Sequence, residues 1–161
     1  MHKLAPGWLR TNESMFKKIL VATDGSVLSR KAVNCALSMA RIHEAELLVV
    51  HVVPRYPTSY FEGAVTFSAD EVGVIESRWA HEAQHLLNGI AERAVAAGIK
   101  TRTVALSSDL VAQSLLRAAK KHKCDLIVMA SHGRKGIKRL LLGSETHQVL
   151  THSNLPVLVL R

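Results

Sequence analysis

The sequence contains few cysteines and few aromatic residues: two cysteines and 4% aromatic side chains among 161 residues. Cys35 and Cys124 have no CxxC spacing and no second pair, so neither a disulfide framework nor a zinc knot is indicated, and we interpret both as small core residues. No window approaches the roughly 18 consecutive apolar residues of a membrane-spanning helix, and residues 1–14 lack the apolar stretch of a secretory signal. We therefore expect a cytoplasmic protein with no membrane partner.

Acidic residues are scarce relative to basic ones, with 13 Asp and Glu against 21 Lys and Arg and a formal net charge of +8. Such a charge favours anionic partners, which include phosphates and nucleic acids. Between Arg117 and Arg139, eight basic residues are accompanied by one acid, Asp125. No aromatic residue is interleaved there to stack on bases, so we expect a phosphate-bearing ligand and no nucleic acid partner.

The hydrophobic content of 48% is sufficient for one globular domain. Residues 1–14 contain a Pro-Gly pair and no hydrophobic period, whereas Met15 immediately precedes a strand pattern. We therefore predict a poorly ordered N-terminal extension over residues 1–14 and a single domain over residues 15–161.

Short apolar runs alternate with helical patterns along this domain. The predicted strands are Phe16–Thr23, Glu46–Val53, Lys100–Leu106, Cys124–Ala130 and Leu155–Leu160. Runs such as Leu47 to Val50 are apolar throughout, which is typical of strands covered on both faces. The pattern predicts an α/β fold: a single-domain, doubly wound, five-stranded parallel sheet with helices on both faces, of the Rossmann-like class.

Polar residues mark the helix starts between these strands. Ser26 can cap a first helix, a second runs from about Asp70 to Gly98, Ser108 and Asp109 can open a third, and Ser144 can cap a fourth. The connection from Pro54 to Ala69 is the one long loop, and we predict that it is mobile or contacts a partner.

Two strand exits carry the residues best suited to a ligand. Ligands of doubly wound sheets bind beyond the carboxyl ends of strands where the strand order reverses, so Asp24-Gly25-Ser26 and Ser131-His132-Gly133 would line one crevice if the order reverses between their strands. The glycines and basic residues that follow Ala130 suit phosphate binding, because glycine lets backbone N–H groups approach an anion. The alternative is a glycine-rich turn followed by a solvated basic helix.

Several sequence blocks, in this order, resemble the universal stress protein family. They are Thr23-Asp24-Gly25-Ser26, the run Leu48–Val53, the run Asp125–Gly133, and Gly143-Ser144 with the closing Pro156–Val159. The ATP-binding branch of that family is recognised by Gly, two residues, Gly, nine residues, Gly, then Ser or Thr. Here Gly133 and Gly143-Ser144 match, and Ala130 replaces the first glycine.

The resemblance implies an adenine nucleotide alpha hydrolase-like fold that binds ATP, or another adenine nucleotide, with Mg²⁺ or Mn²⁺. Ala22, Thr23 and Asp24 would meet the adenosine part, Val52 would present its backbone to adenine, and Met129 would pack against the base. The phosphate segment would begin at Ala130 and comprise Ser131, His132, Gly133, Arg134, Lys135 and Gly136, with Gly143 and Ser144 at the distal phosphates. Asp24 has a second interpretation, as a residue that forms a turn and leads into a helix.

Other functions are less well supported. His81-Glu82-Ala83-Gln84-His85 matches the HExxH pattern of zinc peptidases, but the remaining peptidase ligands are missing, so we interpret it as the polar side of an amphipathic helix. No nucleophile, base and orienting acid are visible as a set, so at most a weak ATPase is expected. A stress-response interaction protein that binds no nucleotide stays open, and Ala130 favours it.

Two further expectations concern His51 and the last predicted strand, which would lie at an edge of the sheet. His51 interrupts an apolar strand, and we interpret it as a hydrogen-bonded core histidine. Relatives are commonly homodimers, and an apolar edge strand over residues 156–160 would be costly to leave unpaired, so we predict a homodimer through that strand.

Overall fold

A computed structural model describes residues 14–55, 68–133 and 142–161. The strands are β1 (Lys18–Ala22), β2 (Glu46–Val53), β3 (Thr101–Ser107), β4 (Leu126–Ala130) and β5 (Val157–Leu160). The helices are α1 (Val27–His43), α2 (Ala69–Ala96), α3 (Val111–Lys121) and α4 (Ser144–His152). The predicted N-terminal extension, apart from Ser14, and residues 56–67 of the predicted long loop lie outside the described residues.

The strands form one parallel sheet in the order β3-β2-β1-β4-β5. From β1 the chain proceeds outward to β2 and β3, then returns to the other side of β1 for β4 and β5. The order therefore reverses between β1 and β4, which places the carboxyl ends of these two strands at the crevice where such sheets bind ligands. The predicted doubly wound α/β fold is confirmed.

Helices cover both faces of the sheet, and each face has its own buried core. Ile19 and Val21 of β1 pack with Leu87 and Ile90 of α2 and with the apolar side of α1. Leu20 of β1 lies on the opposite face, in a cluster with residues of α3 and α4. Side chains alternate between faces along a strand, so a strand that is covered on both sides must be apolar throughout.

The predicted strands are all present, although several are shorter than the apolar runs. The first predicted strand begins at Phe16, but the sheet begins at Lys18, because the backbone N–H groups of Lys17 and Lys18 donate to the carboxylate of Asp125. The Asp125 carboxylate therefore accepts from backbone N–H groups that would pair with a neighbouring strand if β1 began earlier.

The residues predicted to open α3 and to cap α4 do not cap these helices. Ser108 Oγ accepts from the N–H of Leu110, and the Asp109 carboxylate accepts from the N–H of Arg55, so neither side chain caps α3. The N–H of Ala112 in the first turn of α3 instead donates to Glu145 of α4, at 2.9 Å. Ser144 is the first residue of α4 and not its cap, which is Gly143.

The other two helix starts were predicted well. Ser26 caps α1, its Oγ accepting from the N–H of Ser29 at 3.1 Å. The second helix begins at Ala69, where Ser68 and Glu71 form a reciprocal capping box. None of the helices in the described ranges is long and apolar enough to cross a membrane.

Candidate functional site

The exit of β1 is held by hydrogen bonds that continue the sheet and then turn the chain into α1. The N–H of Thr23 donates to Val50 O at 3.0 Å, which extends the contact between β1 and β2 by one residue. The Thr23 hydroxyl is buried, shares a hydrogen bond of 3.1 Å with the Ser29 hydroxyl and accepts from the N–H of Gly25 at 3.3 Å. Thr23 thus fixes the backbone from which Asp24 projects.

Asp24 forms a turn at this exit. Its Oδ1 accepts from the N–H of Ser26 at 3.0 Å, while Gly25 between them has a φ of +77°, a value that favours glycine. Ser26, and not Asp24, caps α1. The turn interpretation of Asp24 is therefore correct at Oδ1, and its contact with the adenosine part stays a prediction.

His51 supports the same exit from the neighbouring strand. Its Nδ1 lies 2.6 Å from the carbonyl oxygen of Thr23. A carbonyl can only accept, so Nδ1 carries the proton in this contact. The half-buried His51 is hydrogen-bonded to the backbone, as expected from the sequence.

The exit of β4 lies against the exit of β1. Ser131 is buried, its N–H donates to Leu160 O at 2.8 Å, and its hydroxyl lies 3.1 Å from His132 Nδ1. A Cβ added at Gly133 would lie 2.6 Å from Asp24 Oδ2, closer than real Cβ atoms come to other heavy atoms. The two strand exits therefore meet in space, and a side chain at Gly133 would require the Asp24 carboxylate to shift.

Gly143 closes the far end of the same segment. Its N–H donates to Ser131 O at 2.8 Å, and an added Cβ would lie 3.1 Å from that oxygen and 3.3 Å from His132 Cα. Its φ of −61° is open to any residue, so the close backbone approach is what favours glycine. No side chain caps α4, and Ser144 is exposed in its first turn. This helix end offers backbone donors to an anion.

Ala130 fits its place without strain. It is the last residue of β4, is paired with Leu160 of β5, and does not have a positive φ. Its carbonyl accepts from the buried hydroxyl of Thr146 at 2.9 Å, which ties the first turn of α4 to the end of β4. The substitution of alanine for the family's first glycine therefore leaves the backbone of the segment intact.

The remaining predicted residues fall into two groups. Ala22, Val52 and Met129 lie on the face of the sheet that α3 and α4 cover, and Met129 is only 5% exposed within that core. Arg134, Lys135 and Gly136 lie outside the described residues. Met129 therefore has little surface left for contact with a base.

Sequence reasoning missed the roles of Glu145 and Thr146. Each makes a contact with another element, Glu145 with the start of α3 and Thr146 with the end of β4. An acidic residue in a first turn is a general signal of a helix start, but it does not reveal that the carboxylate bonds a neighbouring helix.

Two other candidates lie outside the crevice. His81, Glu82 and His85 are exposed on α2, whose buried side contains Leu87 and Ile90. Across residues 14–55, 68–133 and 142–161, no group of three or more His, Cys, Asp or Glu could hold a metal ion. Burial raises the pKa of the Cys124 thiol to about 11, so this core thiol stays uncharged at neutral pH.

Comparison with known proteins shows the family of the chain. The sequence profile of the universal stress protein family matches residues 15–161. The chain belongs to the universal stress protein family. It is 34% identical over 149 residues to the universal stress protein YxiE of Bacillus subtilis, a match that covers 91% of this chain and all of that protein.

Solved structures of other proteins show the same fold. The structure of hypothetical protein MJ0577 superposes with a TM-score of 0.77 at 26% identity, covering 91% of this chain and 96% of that one. A universal stress protein in complex with cAMP superposes with a TM-score of 0.58 at 27% identity, covering 89% and 95%. That second relative binds an adenine nucleotide.

Proposed function

We propose that this universal stress protein binds an adenine nucleotide, ATP with Mg²⁺ or Mn²⁺, in the crevice at the carboxyl ends of β1 and β4. Binding acts as a conformational or stability signal in a cytoplasmic stress response. Hydrolysis is slow or absent, because no nucleophile, base and orienting acid occur as a set in the sequence.

One observation supports this proposal most strongly: two glycines, Gly133 and Gly143, lie in close contact with residues at the exits of β1 and β4. A Cβ at Gly133 would touch Asp24, and a Cβ at Gly143 would touch the backbone of Ser131 and His132. Neither glycine needs a positive φ. Gly133 is exposed, Gly143 is half-exposed, and neither has a side chain of its own over the backbone. A phosphate group can therefore come close to backbone N–H donors in this segment.

The electrostatics of the crevice favour phosphates. The N-terminus of α4 lies at Gly143, and the aligned peptide dipoles of a helix place partial positive charge at that end. The net charge of +8 adds a long-range attraction for anions. Arg134 and Lys135 are proposed, by the family resemblance, to neutralise the phosphates.

The adenosine end is proposed to lie over the exit of β1. The Thr23 hydroxyl accepts from Gly25 N–H at 3.3 Å and His51 Nδ1 bonds Thr23 O at 2.6 Å, so Asp24 projects from a fixed backbone. The turn uses Asp24 Oδ1. The relative that binds cAMP supports a ligand that contains adenosine. The backbone of Val52 is the proposed contact to the base.

The proposal is tested by calorimetry of metal-stripped protein with ATP and Mg²⁺, after an aliquot has been denatured to identify any nucleotide carried through purification. We expect saturable binding near one ATP per chain, and parallel titrations with ADP, AMP and cAMP rank the adenine ligands. If the denatured aliquot releases no nucleotide and the titration shows no binding, the result favours the alternative, an interaction protein of the same fold that works through protein contacts alone.

A further inference from the structure

The amino ends of the strands carry a second group of charges, at the end of the sheet opposite the crevice. Lys18 and Glu46 are register partners in β1 and β2, with Nζ and Oε2 3.0 Å apart, and Lys100 bonds the other oxygen of Glu46. Side chains two apart on a strand share a face, so Lys18 and Glu46 lie on the face of Leu20 and Leu48, which α3 covers.

The end of α3 adds positive charge to this face. Three exposed lysines lie in its last turn and in the turn that follows: Lys120, Lys121 and Lys123. Between them, the half-buried His122 has a lowered pKa, first because burial disfavours its charged form and then because of the positive charges of Arg102, Lys121 and Lys18. The geometry agrees: the N–H of Asp125, just after this turn, donates to Lys18 O at 2.9 Å, and β1, β2 and β3 are neighbours in the sheet, so the cations of β1, β3 and the end of α3 lie at one end of the sheet.

We call these six side chains the amino-end basic face: Lys18, Lys100, Arg102, Lys120, Lys121 and Lys123. Among the residues that the structure describes, two carboxylates contact this face or the backbone beside it. Glu46 is shared by two of the lysines, and Asp125 accepts from the backbone N–H groups of Lys17 and Lys18. Two carboxylates cannot neutralise six cations, so the face keeps a net positive charge that the nucleotide crevice, at the other end of the strands, does not explain.

We propose that the amino-end basic face binds the phosphate backbone of double-stranded nucleic acid without regard to base sequence. Five of its six cations are lysines, whose flexible point charges suit phosphate neutralisation rather than bidentate recognition of a base. Phosphate contacts alone supply such sequence-independent binding, which weakens steeply as salt is added.

The surroundings of the face favour nucleic acid over other anionic partners. The large exposed hydrophobic side chains of the described ranges are Met15, Val27, Ile42, Val74, Val95, Leu110 and Leu150. None of them belongs to β3 or α3, and Met15, three residues before Lys18, is the one that lies close to the start of β1 in the sequence. One apolar side chain is too little for the apolar anchor of a lipid surface or the apolar centre of a protein interface.

The expectation that the protein has no nucleic acid partner rested on the lack of aromatic residues among the basic ones. That observation argues against single strands, whose bases stack on aromatic rings. A duplex keeps its bases stacked on one another and presents its phosphates outward, so its binding requires no aromatic side chain.

The test is fluorescence anisotropy with a labelled DNA duplex of about 20 base pairs at about 50 mM salt. The triple variant Arg102→Gln, Lys121→Gln and Lys123→Gln leaves the Glu46 ion pairs in place. We expect it to bind at least about tenfold more weakly, and its slope of log K against log salt to fall by about 2 to 3, because three phosphate contacts are lost.

A matched control removes the same charge elsewhere. The triple variant Lys31→Gln, Arg78→Gln and Arg161→Gln changes exposed cations of α1, of α2 and of the residue after β5, none of which lies at the amino end of a strand. We expect its affinity for the duplex to stay within about threefold of the wild type, because long-range attraction falls only slightly. An equal loss in both triple variants would show a net-charge effect and overturn the proposal.

Two further titrations separate the partner classes. Vesicles rich in phosphatidylserine and a poly-glutamate peptide are offered to the same three proteins at the same salt. Tighter binding of either one than of the duplex would overturn the proposal, as would the absence of duplex binding by the wild type. ATP binding, measured by calorimetry, should be the same in both triple variants, which keeps this test separate from that of the crevice.

Discussion

At the scale of single residues, the crevice glycines are favoured because a side chain would come too close to neighbouring atoms, and not because the backbone has a positive φ. Gly25 and Gly98 have φ values of +77° and +71° and need glycine for that reason. Gly133 and Gly143 do not, and a Cβ at either one would collide with a neighbouring strand exit or its backbone. The sequence predicted that these glycines matter, but only the fold shows which atoms approach them.

Ala130 provides the first prediction at this scale. Because its φ is not positive and its carbonyl already holds Thr146, the variant Ala130→Gly should change ATP affinity by less than about twofold. The greater freedom of glycine should lower the free energy of unfolding by about 0.5 to 1 kcal/mol. Calorimetry and urea unfolding measure the two quantities. A tenfold gain in affinity would show that the family's glycine has a role which alanine does not fill.

Glu46 provides a pH-dependent prediction. Hydrogen bonds from Lys100 and then Lys18 hold the pKa of its carboxyl below the ordinary value of 4.5. A lowered folded-state pKa means that the stabilisation is present above the unfolded-state pKa and is lost as pH falls through the folded-state pKa. Thermal unfolding should therefore find Glu46→Gln less stable than wild type at pH 7, with the difference shrinking below pH 4.5. An unchanged difference in acid would contradict the ion-pair explanation.

At the scale of elements, the strands were predictable and the helix starts only partly so. Continuous apolar runs such as Leu47 to Val50 identify strands because helices cover both faces of the sheet. Ser26 was predictable as a cap because its bond to Ser29 is local. The start of α3 was not, because its side-chain partner, Glu145, is 33 residues away from Ala112.

The contact of Glu145 with α3 gives the prediction at this scale. Glu145→Ala removes the acceptor for the N–H of Ala112, and the free energy of unfolding should fall by about 1 kcal/mol, as for the loss of a helix cap. Hydrogen exchange should rise in the first turn of α3. Glu145→Gln keeps an oxygen acceptor and should recover part of the loss. Equal stability of Glu145→Ala and wild type would show that water replaces the carboxylate.

At the scale of the whole molecule, the strand order determines where ligands and partners can bind. The sequence predicted one crevice from two unusual strand exits on the condition that the strand order reverses between β1 and β4, and the sheet has that order. The same order leaves β5 at an edge, with all four of its apolar side chains only partly buried. The close approach of the Asp24 carboxylate to Gly133 required the three-dimensional packing, because the two residues are 109 positions apart in the sequence.

We predict a two-fold homodimer through this edge, since an unpaired apolar strand is costly to leave in water. Light scattering at micromolar concentration should give twice the 17.6 kDa of the chain. Val159→Lys places a charge in the predicted β5 interface and should give the monomer. Circular dichroism checks that the variant is folded. A wild-type mass of one chain, or a dimer that survives this substitution, would contradict the β5 interface.

The most direct measurement of the central claim is ATP binding by Gly133→Val beside a matched control. Gly89 lies exposed on α2, where an added Cβ meets nothing within 4 Å, so Gly89→Val makes the same substitution at a harmless site. By calorimetry with Mg²⁺ we expect wild type and Gly89→Val to bind about one ATP per chain, and folded Gly133→Val to bind none, because its side chain displaces Asp24 and covers the backbone. Wild-type affinity in folded Gly133→Val would contradict a nucleotide site between β1 and β4.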